Sequence, residues 1–173
     1  NWTATRRDVM TLAHELGHGV HAALAIPRGI FEQHTPLTVC ETASVFGETL
    51  VFRRLLEAAE TPQSRLSLLA ENIENSIATV FRQTAMNRFE GAVHTHRREQ
   101  GELSVEDFAA HWQATQEDLL GDAVEITDDY RCWWSYIPHF IGSPGYVYAY
   151  AYGQLLALSV YGQYLKEGEA FVP

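Results

Sequence analysis

Cysteine is nearly missing from this sequence: two of 173 residues, Cys40 and Cys132, are too few for a disulfide framework. A reduced pair and a cytoplasmic setting are the expectation. Basic residues are also scarce, with 12 Lys and Arg against 22 Asp and Glu and a formal net charge of −10. That balance argues against nucleic acid or an anionic membrane surface as a partner. No run of about 18 apolar residues occurs, which excludes a membrane-spanning helix. The most apolar stretch, residues 146–160, is interrupted by Gln154 and rich in tyrosine. Strand-like alternation, internal repeats, low-complexity tracts and glycine-rich phosphate loops are not visible. What remains is an apolar content of 46% distributed largely at helical spacing, enough for a substantial core. The fold class that follows is all-α, in one domain's worth of chain.

Helix starts and stops can be placed along the chain. Thr5-Arg6-Arg7-Asp8 has the form of a capping box, and Val9, Leu12, Ala13, Leu16, Val20 and Leu24 then recur at helical spacing, predicting an apolar stripe packed into a core. A second helix is expected from Cys40 to about Ala59. Thr61-Pro62 reads as an N-cap and first-turn proline. The segment to about Arg98 carries Leu66, Leu69, Ile73, Ile77, Val80, Phe81, Phe89 and Val93 at helical spacing. Gly101 breaks it, and Ser104-Val105-Glu106-Asp107 opens another helix ending near Gly121. Ser143-Pro144 predicts a last helix from Gly145 to about Lys166.

The chemistry lies in His14-Glu15-Leu16-Gly17-His18, an H-E-x-x-H pattern. On a helix its histidines fall four residues apart on one face and can reach one zinc ion, with Glu15 placed to take a proton from a water the ion activates. No proline occurs before Pro27, so the helix can run through the motif. Gly17 and Gly19 cost helix propensity, and close approach of another helix or of substrate would account for them. His21 lies on nearly the same face as His14 and reads as support or core rather than ligand. His94-x-His96 reads as a solvated helix surface, and with His111 it is not expected to form a second metal site.

A catalytic zinc site needs a third protein ligand. Glu41 is the candidate on spacing, and it shares a helix face with Glu48, seven residues on. A rival role exists, because Thr38-x-x-Glu41 is also a capping box that would turn Glu41 back to its own backbone. Spacing alone leaves both open. Glu48 or Ser44 could support a ligand through a hydrogen bond.

His14-Glu15-Leu16-Gly17-His18-Gly19-Val20-His21 followed by Glu41-Thr42-Ala43-Ser44 resembles the catalytic region of the thimet oligopeptidase and oligoendopeptidase F family of zinc peptidases. The likeness is greatest to the bacterial oligoendopeptidase F branch. It continues through Trp134-Ser135-Tyr136-Ile137-Pro138-His139-Phe140 and Tyr146-Val147-Tyr148-Ala149-Tyr150. The resemblance implies one zinc per chain held by His14, His18 and Glu41, within a helical zincin-type catalytic region whose motif lies on a core helix. It implies that a histidine and tyrosines hydrogen-bond the substrate carbonyl and its oxyanion. His139 and Tyr146 match best, with Tyr150 next. On a continuous helix Tyr146 and Tyr150 would share one face and Tyr148 and Tyr152 roughly the opposite one, so only one pair could face the metal.

The activity implied is hydrolysis of internal bonds in short peptides, with Glu15 as general base. Family members are several times longer. The resemblance therefore implies that residues 1–173 are a single helical catalytic domain, a fragment without the N-terminal region and C-terminal end of a longer peptidase. An exposed cleft face would then favour self-association. Two other classes share part of the pattern. A helical metallocarboxypeptidase would need a basic residue for the substrate's terminal carboxylate. A non-catalytic zinc-binding helical module would have no use for Glu15.

Overall fold

The structure, a computed structural model, describes residues 3 and 5–172, and among them no strand occurs. The α-helices are α1 (Arg6–Ala25), α2 (Leu37–Cys40), α3 (Thr42–Glu57), α4 (Pro62–Ile77), α5 (Gln83–Glu99), α6 (Val105–Leu120), α7 (His139–Gly142) and α8 (Tyr148–Glu167). A π-helical turn, Ala78–Arg82, precedes α5, and a 3₁₀ segment, Asp128–Tyr136, precedes α7. The chain divides into two compact units, one of Asn1–Ile77 with Tyr152–Pro173 and one of Ala78–Ala151.

In the first unit, α1 starts where the capping pattern places it. The Asp8 backbone N–H donates to Thr5 Oγ1, and the Asp8 carboxylate accepts from the Thr5 N–H at 3.0 Å. Hydrogen bonds from the Thr3 side chain, then from the Thr5 and Thr3 backbone, hold the Asp8 carboxyl far below its ordinary range.

Helix α1 packs against α3 through missing side chains. A Cβ at Gly17 would lie 2.5 Å from the Ala43 carbonyl oxygen, and one at Gly47 would lie 2.8 Å from the Ala13 carbonyl oxygen. These are backbone atoms that cannot swing aside, so the close crossing requires glycine at both positions. Gly19 meets nothing, so the packing reason holds for Gly17 alone of the motif pair.

The predicted core stripe on α1 needs correction. Ala13 and Gly17 are buried, but Leu12, Leu16, Val20 and Leu24 are exposed, Leu24 by 73%. Leu16, Val20 and Leu24 instead line an open apolar groove of about 730 Å³ with Val39, Phe46 and Leu50. The reason is geometric: periodicity marks one helix face, and the glycine contact occupies only the narrow strip containing Ala13 and Gly17. From α8, Tyr161 closes the unit elsewhere, with its ring edge-on to Phe46 at 6.2 Å and its hydroxyl 3.4 Å from Arg53 Nε.

Helix α4 begins as expected, with the Ser64 N–H donating to Thr61 Oγ1 at 3.1 Å. Its buried residue is Leu68, whereas Leu66, Leu69, Ile73 and Ile77 are exposed, and so is Phe81 in the π turn. The helical spacing read across residues 66–81 is borne out, with most of its apolar side chains exposed within this chain.

The second unit has a core of Met86, Phe89, Val93, Trp112, Ile137 and Val147, bordered by Phe108, Tyr130, Trp134 and Phe140. Phe89 meets Trp112 edge-on at 5.4 Å, an arrangement the ring quadrupoles favour. Gly101, at φ +102, lies between α5 and α6, and α6 opens on the Ser104–Asp107 capping box. His94 is exposed, while His96 and His111 contact each other at 3.0 Å across α5 and α6.

Candidate metal centre

Three elements of the first unit bring the ligands together. Helix α1 carries His14 and His18 one turn apart, with rings 4.8 Å apart and nearly perpendicular. Glu41 occupies the junction between α2 and α3 and is 3% exposed. Its Oε2 lies 3.3 Å from His14 Nε2 and 3.5 Å from His18 Nε2. The donor atoms all fall within 4.8 Å of one another, and this is the group of metal-ligating side chains found among the described residues.

The separations suit a ligand set. An N–H···O hydrogen bond spans about 2.7–3.2 Å. Zinc bonds of about 2.1 Å in a tetrahedron put neighbouring ligand atoms about 3.4 Å apart. The two distances to Glu41 lie near that edge, while the three donor atoms together spread over as much as 4.8 Å. Two imidazoles and one buried carboxylate are also the donor types of a catalytic zinc site, so these residues fit the ion.

The surroundings complete the fit. His14 Nδ1 lies 2.5 Å from Glu48 Oε1 and donates its proton to that carboxylate, which leaves Nε2 as the ring nitrogen that faces Glu41. Glu41 first, then Glu48, pushes the His14 imidazole up to about 10 against the opposing effect of burial. The same pair of carboxylates favours any cation at this position. Ser44, fully buried, lies with Oγ 2.8 Å from the Glu41 carbonyl and 3.2 Å from Glu41 Oε2. Glu41 is backed by Gly153 of α8, where a Cβ would come within 2.8 Å of the Glu41 Cβ.

The rival capping role for Glu41 is not found. Pro36 stands at the N-cap of α2, and no side-chain cap bond forms there. The sequence left Glu48 and Ser44 as alternatives; in the structure Glu48 contacts His14 and Ser44 contacts Glu41. Glu15 is exposed beside the two histidines. His21 lines the apolar groove and stays out of the ligand group.

His139, Tyr146 and Tyr150 form a trio of their own in the second unit. His139 Nε2 lies 3.1 Å from the Tyr150 hydroxyl. The Tyr146 ring stacks on His139 at 6.1 Å and meets Tyr150 edge-on at 5.3 Å. One detail differs from expectation. The last helix starts at Tyr148 rather than Gly145, because Gly145 takes φ +77, so Tyr146 belongs to the preceding turn. Tyr146 and Tyr150 still meet. The glycine of the Ser-Pro-Gly sequence was the signal for a turn.

Among the described residues no helix is long and apolar enough to cross a membrane. Cys132 is an exposed free thiol.

Comparison with known proteins agrees with this geometry. Oligopeptidase PepF of Bacillus subtilis is 34% identical over 99% of this chain, and the match covers 26% of that protein. The chromosomal oligoendopeptidase F of Lactococcus lactis subsp. cremoris is 29% identical over 88% of the chain and 25% of its own length. The crystal structure of oligoendopeptidase-F from Enterococcus faecium superposes with a TM-score of 0.75 at 28% identity, covering 95% of this chain and 29% of that one. The chain thus spans about a quarter of the length of the curated relatives it matches. The model of peptidase family M3 matches residues 1–172, and the chain belongs to that family.

Proposed function

We propose that this chain carries the catalytic centre of a zinc-dependent endopeptidase that cleaves internal bonds of short peptides. One observation carries the reading: His14, His18 and Glu41 converge within 4.8 Å, beside Glu15, with the His14 tautomer fixed by Glu48. One zinc ion, held by those three residues, would polarise the scissile carbonyl and acidify water.

The chain's own residues supply the rest. Glu15 lies on the motif helix without being a ligand, and its exposed carboxylate is free to act as general base on the attacking water. It then returns the proton to the leaving amine. His139, Tyr146 and Tyr150 donate hydrogen bonds to the substrate carbonyl as negative charge develops on it, a role worth about 3 kcal/mol for a well-placed donor. We read residues 1–173 as one helical catalytic region of a longer peptidase. The exposed groove on α1 and α3 makes a polypeptide of these residues prone to self-association. Its low cysteine content suits a reducing, cytoplasmic setting.

The test compares parent and Glu15→Gln on an internally quenched peptide, with zinc measured alongside. The expected result is unchanged zinc, activity abolished by chelator in the parent, and a loss of about 10²–10⁴-fold in the variant. Cleavage confined to a chain end, or activity within about tenfold of the parent in the variant, would refute the reading.

A further inference from the structure

Glu90 is a buried carboxylate with no part in the metal centre. It lies on the buried stripe of α5 with Met86, Phe89 and Val93, and is 4% exposed. Its Oε1 accepts a hydrogen bond from the Gly145 backbone N–H at 2.7 Å, fifty-five residues away in sequence. Its Oε2 is buried without a hydrogen-bond partner. A carboxylate taken out of water costs free energy unless it is paired or hydrogen-bonded, and with only Oε1 satisfied its place here calls for a reason.

The reason lies in the turn that Gly145 belongs to. The Tyr146 N–H donates to the Ser143 carbonyl at 3.2 Å, closing a four-residue turn with Pro144 and Gly145 at its centre. Gly145 at φ +77 gives the turn its type II form. In such a turn the N–H of the third residue has no partner inside the ring. Glu90 takes it. On the other side, Val147 is fully buried in the core, and the Tyr146 carbonyl accepts from the Ala149 N–H at 2.9 Å as α8 begins. Tyr146 is thus held between a bond from Glu90 and an apolar anchor, with its ring against His139 and Tyr150.

We propose that Glu90 is the positioning residue for Tyr146: by gripping the Gly145 amide it fixes the turn that keeps Tyr146 in register with His139 and Tyr150. This rests on the reading of that trio as donors to the substrate carbonyl. Glu90 itself touches no substrate.

The experiment is a double-mutant cycle in the active peptidase carrying this sequence, using Glu90→Gln, Glu90→Met, Tyr146→Phe and Glu90→Met with Tyr146→Phe. Gly145 amide exchange and zinc content are measured in each. Glu90→Gln keeps an acceptor oxygen, so kcat stays within about threefold of the parent and amide protection is retained. Glu90→Met speeds Gly145 exchange about tenfold or more, lowers kcat about tenfold or more with KM little changed, and adds almost nothing to Tyr146→Phe. Full multiplication of the two losses, or an unchanged amide in folded Glu90→Met, overturns the proposal. Should Glu90→Met not fold, Glu90→Gln decides alone: retained kcat and protection support the positioning role, and a lost kcat at parental zinc content overturns it. A parental kcat in Tyr146→Phe instead sinks the donor reading of the trio; with it falls the catalytic consequence of the Glu90 bond, while accelerated amide exchange would still separate that failure from an absent bond.

Discussion

Glu48 Oε1 sits 2.5 Å from Nδ1 of His14, and this contact decides which ring nitrogen is left for a metal. The relationship follows from α3. Glu41 and Glu48, two turns apart, approach His14 from one helix, one at each ring nitrogen. With Nδ1 donating to Glu48, Nε2 is the ring nitrogen turned toward Glu41 and, in the neutral ring, the one whose lone pair can take a metal.

Removal of that contact should loosen the metal without removing a ligand. Glu48→Ala is expected to weaken zinc affinity about 10–100-fold, the usual cost of losing a hydrogen-bond partner behind a ligating imidazole. Competition with a fluorescent chelator measures it. Affinity equal to that of the parent would show that Glu48 does not orient His14.

The contact between α1 and α3 gives a stability prediction. Gly17→Ala forces a methyl to within 2.5 Å of the Ala43 carbonyl oxygen, so the helices must separate. A cost of about 1–3 kcal/mol is expected, typical of overpacking. Because Gly17 lies between the ligands and Glu41 begins α3, zinc affinity should fall as well. Gly19→Ala, which meets nothing, is the control and should match the parent or exceed it in thermal stability.

Much of this was legible from short-range pattern. The H-E-x-x-H spacing, the Thr5 and Ser104 capping boxes and the Thr61-Pro62 start depend on residues within one helical turn, and local geometry sets them. Glu41 was ambiguous because capping and ligation look alike over four residues; only the arrival of α1 across Gly17 and Gly47 brings the two histidines to its carboxylate. The burial of the apolar face of α1 was misjudged for another reason, and the face of α4 shows the same limit. Periodicity reports that Leu16, Val20, Leu66 and Ile73 share faces, but it does not say what covers them. Glu90 left a trace that spacing alone could not interpret: a charge in an otherwise buried stripe, paired with a glycine fifty-five residues away.

Acid should weaken the N-termini of α1 and α6. Hydrogen bonds from Ser104, side chain first and then backbone, hold the Asp107 carboxyl below its ordinary 3.8, and Asp8 is depressed in the same way. For a depressed carboxyl, the stabilisation is present above the unfolded value and is lost as pH falls through the folded one. Thermal midpoints should therefore drop as pH is lowered from about 4, and the drop should be shallower in the Asp8→Ala, Asp107→Ala double variant. Circular dichroism melts across that range are the check, and equal slopes in parent and variant would contradict the assignment.

The central claim is the ligand set, and anomalous scattering at the zinc edge from crystals of the zinc-loaded protein addresses it directly. The account expects one ion per chain within about 2.0–2.2 Å of His14 Nε2, His18 Nε2 and a Glu41 carboxylate oxygen. An ion bound elsewhere, or a Glu41 side chain turned back toward its own helix with the metal held by other residues, would contradict it.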